Sequence, residues 1–188
     1  MIDQDLATAK SLEEPADALA APTLALIRER LGREPRGLRA VAVSDGAGLP
    51  MVLRVASVVD RKPFPTLYWL IDPQIALRID REEAGGTIAL LQQRIDEDPQ
   101  LQAAMTEDHR RHIALREAFL HDDECELLQQ TGAWPALTER GIGGIANFSR
   151  IRCLHTWYGA HLVIPNTVGR LLDAHWASSA DARAVVPE

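Results

Sequence analysis

Leu38-Arg-Ala-Val-Ala-Val-Ser44, Met51-Val-Leu-Arg-Val-Ala-Ser-Val-Val59 and Thr66-Leu-Tyr-Trp-Leu-Ile71 decide the fold. All three runs are rich in β-branched or aromatic residues, which favour a pleated, half-buried surface. Between the first two lies Asp45-Gly-Ala-Gly48, where glycine reaches positive φ without strain and permits a tight reversal. Between the second and third lies Lys62-Pro-Phe-Pro65, whose prolines hold their predecessors extended and force a wider turn. Short connections of this kind predict an antiparallel meander of three strands.

Helix signals surround the meander. Downstream, Asp72-Pro73 reads as an N-cap followed by proline at the first helical position, with Gly85-Gly86 as the stop. Thr87 opens a second helix, with Ile88, Leu91 and Ile95 on one stripe. Asp98-Pro99 repeats the first start signal and opens a longer helix to about Leu120. Asp122-Asp-Glu124 starts a further helix, and Trp134-Pro135 begins a short segment that ends before Gly141. Upstream, Leu24, Ile27 and Leu31 share a helical face that stops at Gly32. The reading is α+β: a small antiparallel three-stranded meander packed by several helices. Residues 23–176 form one such domain. Residues 1–22, rich in alanine and acids and broken by Pro15 and Pro22, read as a flexible or frayed arm, and 177–188 as a tail.

Bulk properties narrow the function classes. The chain of 188 residues is 46% hydrophobic and 25% charged, ordinary for a globular domain. Its net charge of −7 argues against a dedicated nucleic-acid binder. The charge is uneven. Arg28 to Lys62 carries eight bases and four acids, whereas Asp72 to Thr131 carries fourteen acids and six bases. The basic stretch leaves an acidic partner, RNA or phosphate open. Two cysteines, Cys125 and Cys153, are no disulfide framework, the N-terminus shows no signal peptide, and no apolar run is long enough to span a membrane. A cytoplasmic setting with no membrane partner is expected.

Chemistry concentrates between Gly141 and Gly169. Cys153, His155 and His161 are metal-ligand types, suited to a transition metal such as zinc, and also the ingredients of a Cys–His nucleophilic pair. Spacing makes the backbone decisive. In an extended segment Cys153 and His155 point the same way; in one helix they diverge, and Cys153 would share a face with Trp157 and His161. A three-ligand site therefore needs a helix starting after Cys153, or ligands from elsewhere. Asp72 is the carboxylate considered beside them, although N-capping already explains it. Gly143 and Gly144 with Arg150 and Arg152 form a possible anion cradle of exposed N–H groups and guanidinium charge.

A separate feature is the nearly all-polar stretch Thr106-Glu-Asp-His-Arg-Arg-His112 inside the long helix. Such a middle either projects into solvent or presents a partner surface, here around His109 and His112.

Two blocks together carry a family resemblance: Pro63-Phe-Pro-Thr-Leu-Tyr-Trp-Leu70 with Pro73, and Arg152-Cys-Leu-His155 with His161-Leu162 and Asn166-Thr-Val-Gly169. Their order and separation resemble the uncharacterised bacterial family catalogued as domain of unknown function five hundred and one, over about Gly37 to Asp173. The resemblance implies a small cytoplasmic bacterial protein and brings no activity with it. It also implies that the position of Asp72 holds Cys or His in relatives, that Lys-Cys-Leu-His matches Arg152 to His155, and that a later histidine matches His161 or its neighbour Ala160. Aspartate in place of a thiol at Asp72 removes a sulfur, and threonine replaces proline in the Asn166-Thr-Val-Gly169 turn.

The expected function is a binding or adaptor module with a Cys/His metal site. The alternative is a hydrolase or transferase acting on a phosphorylated or acyl substrate. There Cys153 would be nucleophile or ligand, His155 or His161 the base, and Arg150 or Arg152 the anion clamp.

Overall fold

In a computed structural model, residues 2–184 are described, with side chains through Ser178. The three expected strands form as β2 (Leu38–Ser44), β3 (Pro50–Val55) and β6 (Tyr68–Leu70), and a short β1 (Glu14–Pro15) adds to the β2 edge. The sheet order is β1-β2-β3-β6, antiparallel throughout. The second run ends earlier than the sequence suggests. Past Val55 the chain leaves the sheet, and β4 (Val58–Val59) pairs with β5 (Lys62–Pro63) as a separate hairpin.

Register sorts side chains onto two faces. Val41 lies opposite Leu53, and Leu53 opposite Trp69. This face packs with Ile27 of α2 (Ala21–Leu31) in a small apolar cluster. Ala42, Val52 and Tyr68 face the other way into the main core. That core is built by α1 (Ile2–Leu12), α3 (Pro73–Ala84), α4 (Thr87–Glu97), α5 (Pro99–Ala118), α8 (Leu154–Val163) and α9 (Thr167–Ala184). Two short helices, α6 (Asp122–Gln130) and α7 (Pro135–Thr138), and a 3-10 turn (Ile142–Gly144) connect α5 to α8.

The aspartate–proline starts behave as read. Asp72 accepts from the N–H groups of Gln74 and Ile75, and Asp98 from those of Gln100 and Leu101. Gly32 ends α2 in the left-handed region at φ 64°. The upstream helix begins at Ala21, with proline in its first turn.

Three expectations are corrected. The N-terminal segment is not a loose arm: Ala9 is fully buried, and Asp5 accepts two hydrogen bonds from Arg111, at 2.9 and 2.8 Å. Glu13 and Arg54 add a mostly buried bidentate pair at 2.6 and 3.0 Å. The helix docks here because its small apolar face meets the core, and Asp5 within it and Glu13 just after it each meet an arginine. The tail begins later than residue 177, because α9 continues to Ala184; residues 185–188 lie outside the described residues.

The third correction concerns the polar middle of α5: Arg110 remains exposed and Glu107 partly so, but the histidines expected on a partner surface are buried. His109 and Arg116 are fully buried, and Asp108 and His112 nearly so. Burial of polar groups is tolerated where they find hydrogen bonds, and most of these do, although His109 Nε2, His112 Nε2 and Arg116 Nε have no partner among the described residues. Arg116 donates to the carbonyls of Pro65, Leu137 and Arg140. The Ile142 N–H donates to His109 Nδ1 at 2.9 Å, and the Thr167 N–H to Asp108 at 2.6 Å. The partners are largely backbone groups at turns and helix ends, so α5 works as a polar spindle inside the fold. Burial lowers His109 to about 4 and, with Arg116 and His109 nearby, holds His112 well below its ordinary value.

Candidate metal centre

The segment entering α8 is extended at Cys153 (φ −152°, ψ 124°), and the helix starts at Leu154. Two anchors fix that boundary. The Ile151 N–H donates to Gln92 on α4 at 2.8 Å, and the Leu154 N–H donates to Glu83 Oε1 on α3 at 2.6 Å. A carboxylate at a helix N-terminus satisfies an otherwise orphaned N–H and opposes the helix dipole. Thr156 donates back to the Cys153 carbonyl at 3.0 Å and tightens the first turn. With the helix beginning just after it, Cys153 Sγ reaches His155 Nδ1 at 3.8 Å.

The third member comes from α3. Glu83 Oε1 lies 3.4 Å from His155 Nδ1. One ligand atom from each of Glu83, Cys153 and His155 falls within 4.8 Å of the other two, and this is the one such cluster among the described residues. All three side chains are half-buried. Asp80, one turn before Glu83, approaches the opposite ring nitrogen, with Oδ1 at 3.4 Å from Nε2. Both imidazole nitrogens thus face acceptors, as an imidazolium requires. His155 is accordingly raised to about 9, first by its hydrogen bond with the Cys153 sulfur. Burial opposes the rise, and the charges of Cys153, Glu83 and Asp80 add to it.

The ligand set expected from sequence is therefore changed. His161 stands apart from the cluster: its Nδ1 accepts from the Asn166 N–H at 3.0 Å, and its Nε2 donates to Asp173 at 3.0 Å. A Cβ on Gly169 would sit 2.1 Å from the His161 ring, so that glycine is where α9 makes room for the histidine. Asp72 is spent on capping α3. Glu83 escapes sequence reading because it lies 71 positions from Leu154 in a run of helical acids, with nothing local to mark it.

Three of the four residues expected in an anion cradle, Gly143, Gly144 and Arg150, have another structural setting. Gly143 (φ 72°) and Gly144 (φ 69°) take the left-handed conformation in the turn, against Thr156 and Pro65 respectively. Arg150 pairs with Asp96 at 3.3 Å, and Arg152 is exposed. In the basic stretch, Arg28, Arg36, Arg39 and Arg54 pair with Glu34, Asp60, Glu124 and Glu13. No helix among the described residues is long and apolar enough to cross a membrane.

Residues 41–174 match the family model described as Protein of unknown function (DUF501), and the chain belongs to that family. No curated protein and no solved structure gives a match.

Proposed function

We propose that this family member is a metal-binding module whose site is Glu83, Cys153 and His155, suited to zinc or a similar divalent transition ion. One observation carries the reading: the spacing of the three donor atoms. With metal–sulfur bonds near 2.3 Å and metal–nitrogen or metal–oxygen bonds near 2.0–2.1 Å, a tetrahedron has S···N edges of about 3.6 Å and N···O edges of about 3.3 Å. The corresponding separations are 3.8 Å for Sγ–Nδ1 and 3.4 Å for Nδ1–Oε1. Thiolate, imidazole and carboxylate together favour zinc-class ions over calcium or magnesium, which take oxygen ligands.

The surroundings support it. Asp80 stands behind the outer nitrogen of His155, the position from which a carboxylate fixes a ligating ring. The Leu154 N–H holds the Glu83 carboxylate in place. Without an ion, the imidazolium proton occupies the space between the sulfur and the carboxylate, and a divalent ion entering there displaces it. Three protein ligands leave a fourth position for water or a partner group.

Cobalt(II) titration tests the site. Tetrahedral thiolate coordination gives intense visible absorption and a sulfur-to-cobalt charge-transfer band. Both bands are expected at one equivalent and lost in Cys153→Ala. A titration that shows only octahedral, weakly absorbing cobalt rejects the site.

A second reading rests on a different observation. Cys153 Sγ, His155 Nδ1, His155 Nε2 and Asp80 Oδ1 follow one another in a line, with the cysteine at a helix N-terminus. That order suits a cysteine nucleophile, an imidazole base and an orienting carboxylate. Iodoacetamide kinetics in the presence of a chelator separate the two. Rapid alkylation of Cys153 well below pH 8.5, the ordinary thiol value of about that size, together with no metal uptake, favours the nucleophile.

A further inference from the structure

On the far side of α3 from Glu83 runs an open groove of about 970 Å3 between α3 and α9, floored by Tyr158 of α8. Its size is that of a site for a metabolite-sized molecule, which is typically about 300–1,000 Å3. Its walls combine apolar surface with charge. Leu77 is half exposed, and Tyr158 and Trp176 form the aromatic part. Arg78 and Arg81 stand on the α3 wall.

The charges in the groove are not equivalent. Both of its carboxylates already have hydrogen-bond partners. Asp173 accepts from the Tyr158 hydroxyl at 2.8 Å and from His161 at 3.0 Å. Glu82 accepts from Thr87 at 2.6 Å and from the Trp176 indole at 2.9 Å, and pairs with His175 at 3.1 Å. By contrast, neither Arg78 nor Arg81 forms an ion pair among the described residues. Arg78 is nonetheless held in place, its guanidinium lying 3.8 Å from the centre of the Trp176 ring. The groove therefore offers an apolar floor and two guanidinium groups without carboxylate partners, while its two carboxylates are turned to hydrogen-bond partners of their own.

We infer that this groove is a binding site for a small organic anion: a flat apolar or aromatic body carrying a phosphate, carboxylate or sulfonate. The body lies on Leu77, Tyr158 and the rim of Trp176, and the anionic head meets Arg78 and Arg81. Guanidinium groups suit such heads because their N–H donors match oxyanion geometry. The inference stands without the metal centre, since no residue of the donor cluster lines the groove.

The test uses 1-anilinonaphthalene-8-sulfonate, an aromatic sulfonate that fluoresces on binding, titrated into the intact chain with a chelator present. The uncharged N-phenyl-1-naphthylamine serves as the control for the ring system alone. Saturable binding of the sulfonate is expected, weakened roughly tenfold by Arg81→Glu and again by Arg78→Glu, as loss of a charge-assisted contact implies. The uncharged analogue is expected to bind all forms alike. Arg81→Glu is the safer variant, because Arg81 is exposed and supports no neighbouring side chain; unchanged circular dichroism verifies its fold. Sulfonate binding that is unsaturable, or equal in the parent and Arg81→Glu proteins, overturns the proposal. So does a neutral analogue that loses affinity in step with the sulfonate.

Discussion

His109 and His155 are the same residue in opposite environments. On α5, His109 is fully buried between Phe148 and Trp157, its ring 4.6 and 4.7 Å from theirs, and burial brings it down to about 4. At the start of α8, His155 sits half-buried among a sulfur and two carboxylates and is raised to about 9. Desolvation acts on both rings and disfavours the charged form of each. It wins at His109, where the proton has no anion to meet, and loses at His155, where three acceptors surround it. The histidine that looked most like surface is part of the core, and the half-exposed one stands at the proposed metal site.

The sharpest way to break this contrast is to attack the core side. Arg116→Met removes a fully buried guanidinium and leaves the carbonyls of Pro65, Leu137 and Arg140 without their donor. A loss of about 3–5 kcal/mol in urea unfolding is expected. A loss below about 1 kcal/mol would mean the spindle does not hold the fold.

Acid is the next lever. The unfolded chain protonates its histidines near 6.5, whereas folded His109 resists until about 4. Stability is therefore full above about pH 6.5 and falls as pH drops towards 4. His109 alone contributes about 3 kcal/mol to that fall, and His112 adds in the same direction. In His109→Gln that share of the pH dependence is expected to vanish. His155 has the opposite sign: its contribution is present below about 6.5 and lost as pH rises towards 9. NMR titration of the metal-free protein is expected to find its midpoint near 9, and a marked fall in Cys153→Ala, because the sulfur is the largest cause.

Smaller effects belong to the junction itself. Glu83→Ala removes the carboxylate that caps α8, at about 1 kcal/mol of stability, along with one donor of the proposed metal site. Asp80→Asn leaves stability within about 0.5 kcal/mol, since Asp80 is mostly exposed. It lowers the His155 midpoint by less than Cys153→Ala does.

The two regions also differ in how much the chain announces them. The strands, the aspartate–proline caps and the placement of a helix start as the deciding question at Cys153 are local matters, written in side chains a few positions apart. The polar spindle was hidden because its partners are backbone carbonyls and N–H groups, which no residue type marks. Docking of α1 was hidden for a similar reason: Asp5 meets Arg111, 106 positions away. At the donor cluster, Cys153 and His155 were legible from their spacing, but Glu83 was indistinguishable from any solvated helical acid. His161 was misleading, because a histidine one face along the same helix looks like a ligand until Asp173 and Gly169 are seen to hold it.

Metal stoichiometry tests the central claim most directly. In protein produced without a metal-affinity tag and dialysed against zinc at low concentration, elemental analysis is expected to find about one zinc per chain. In Glu83→Ala and in Cys153→Ala it is expected to find little or none, while His161→Gln retains the ion. Less than about a tenth of an equivalent in the parent protein, or zinc retained equally in Cys153→Ala, would contradict the account.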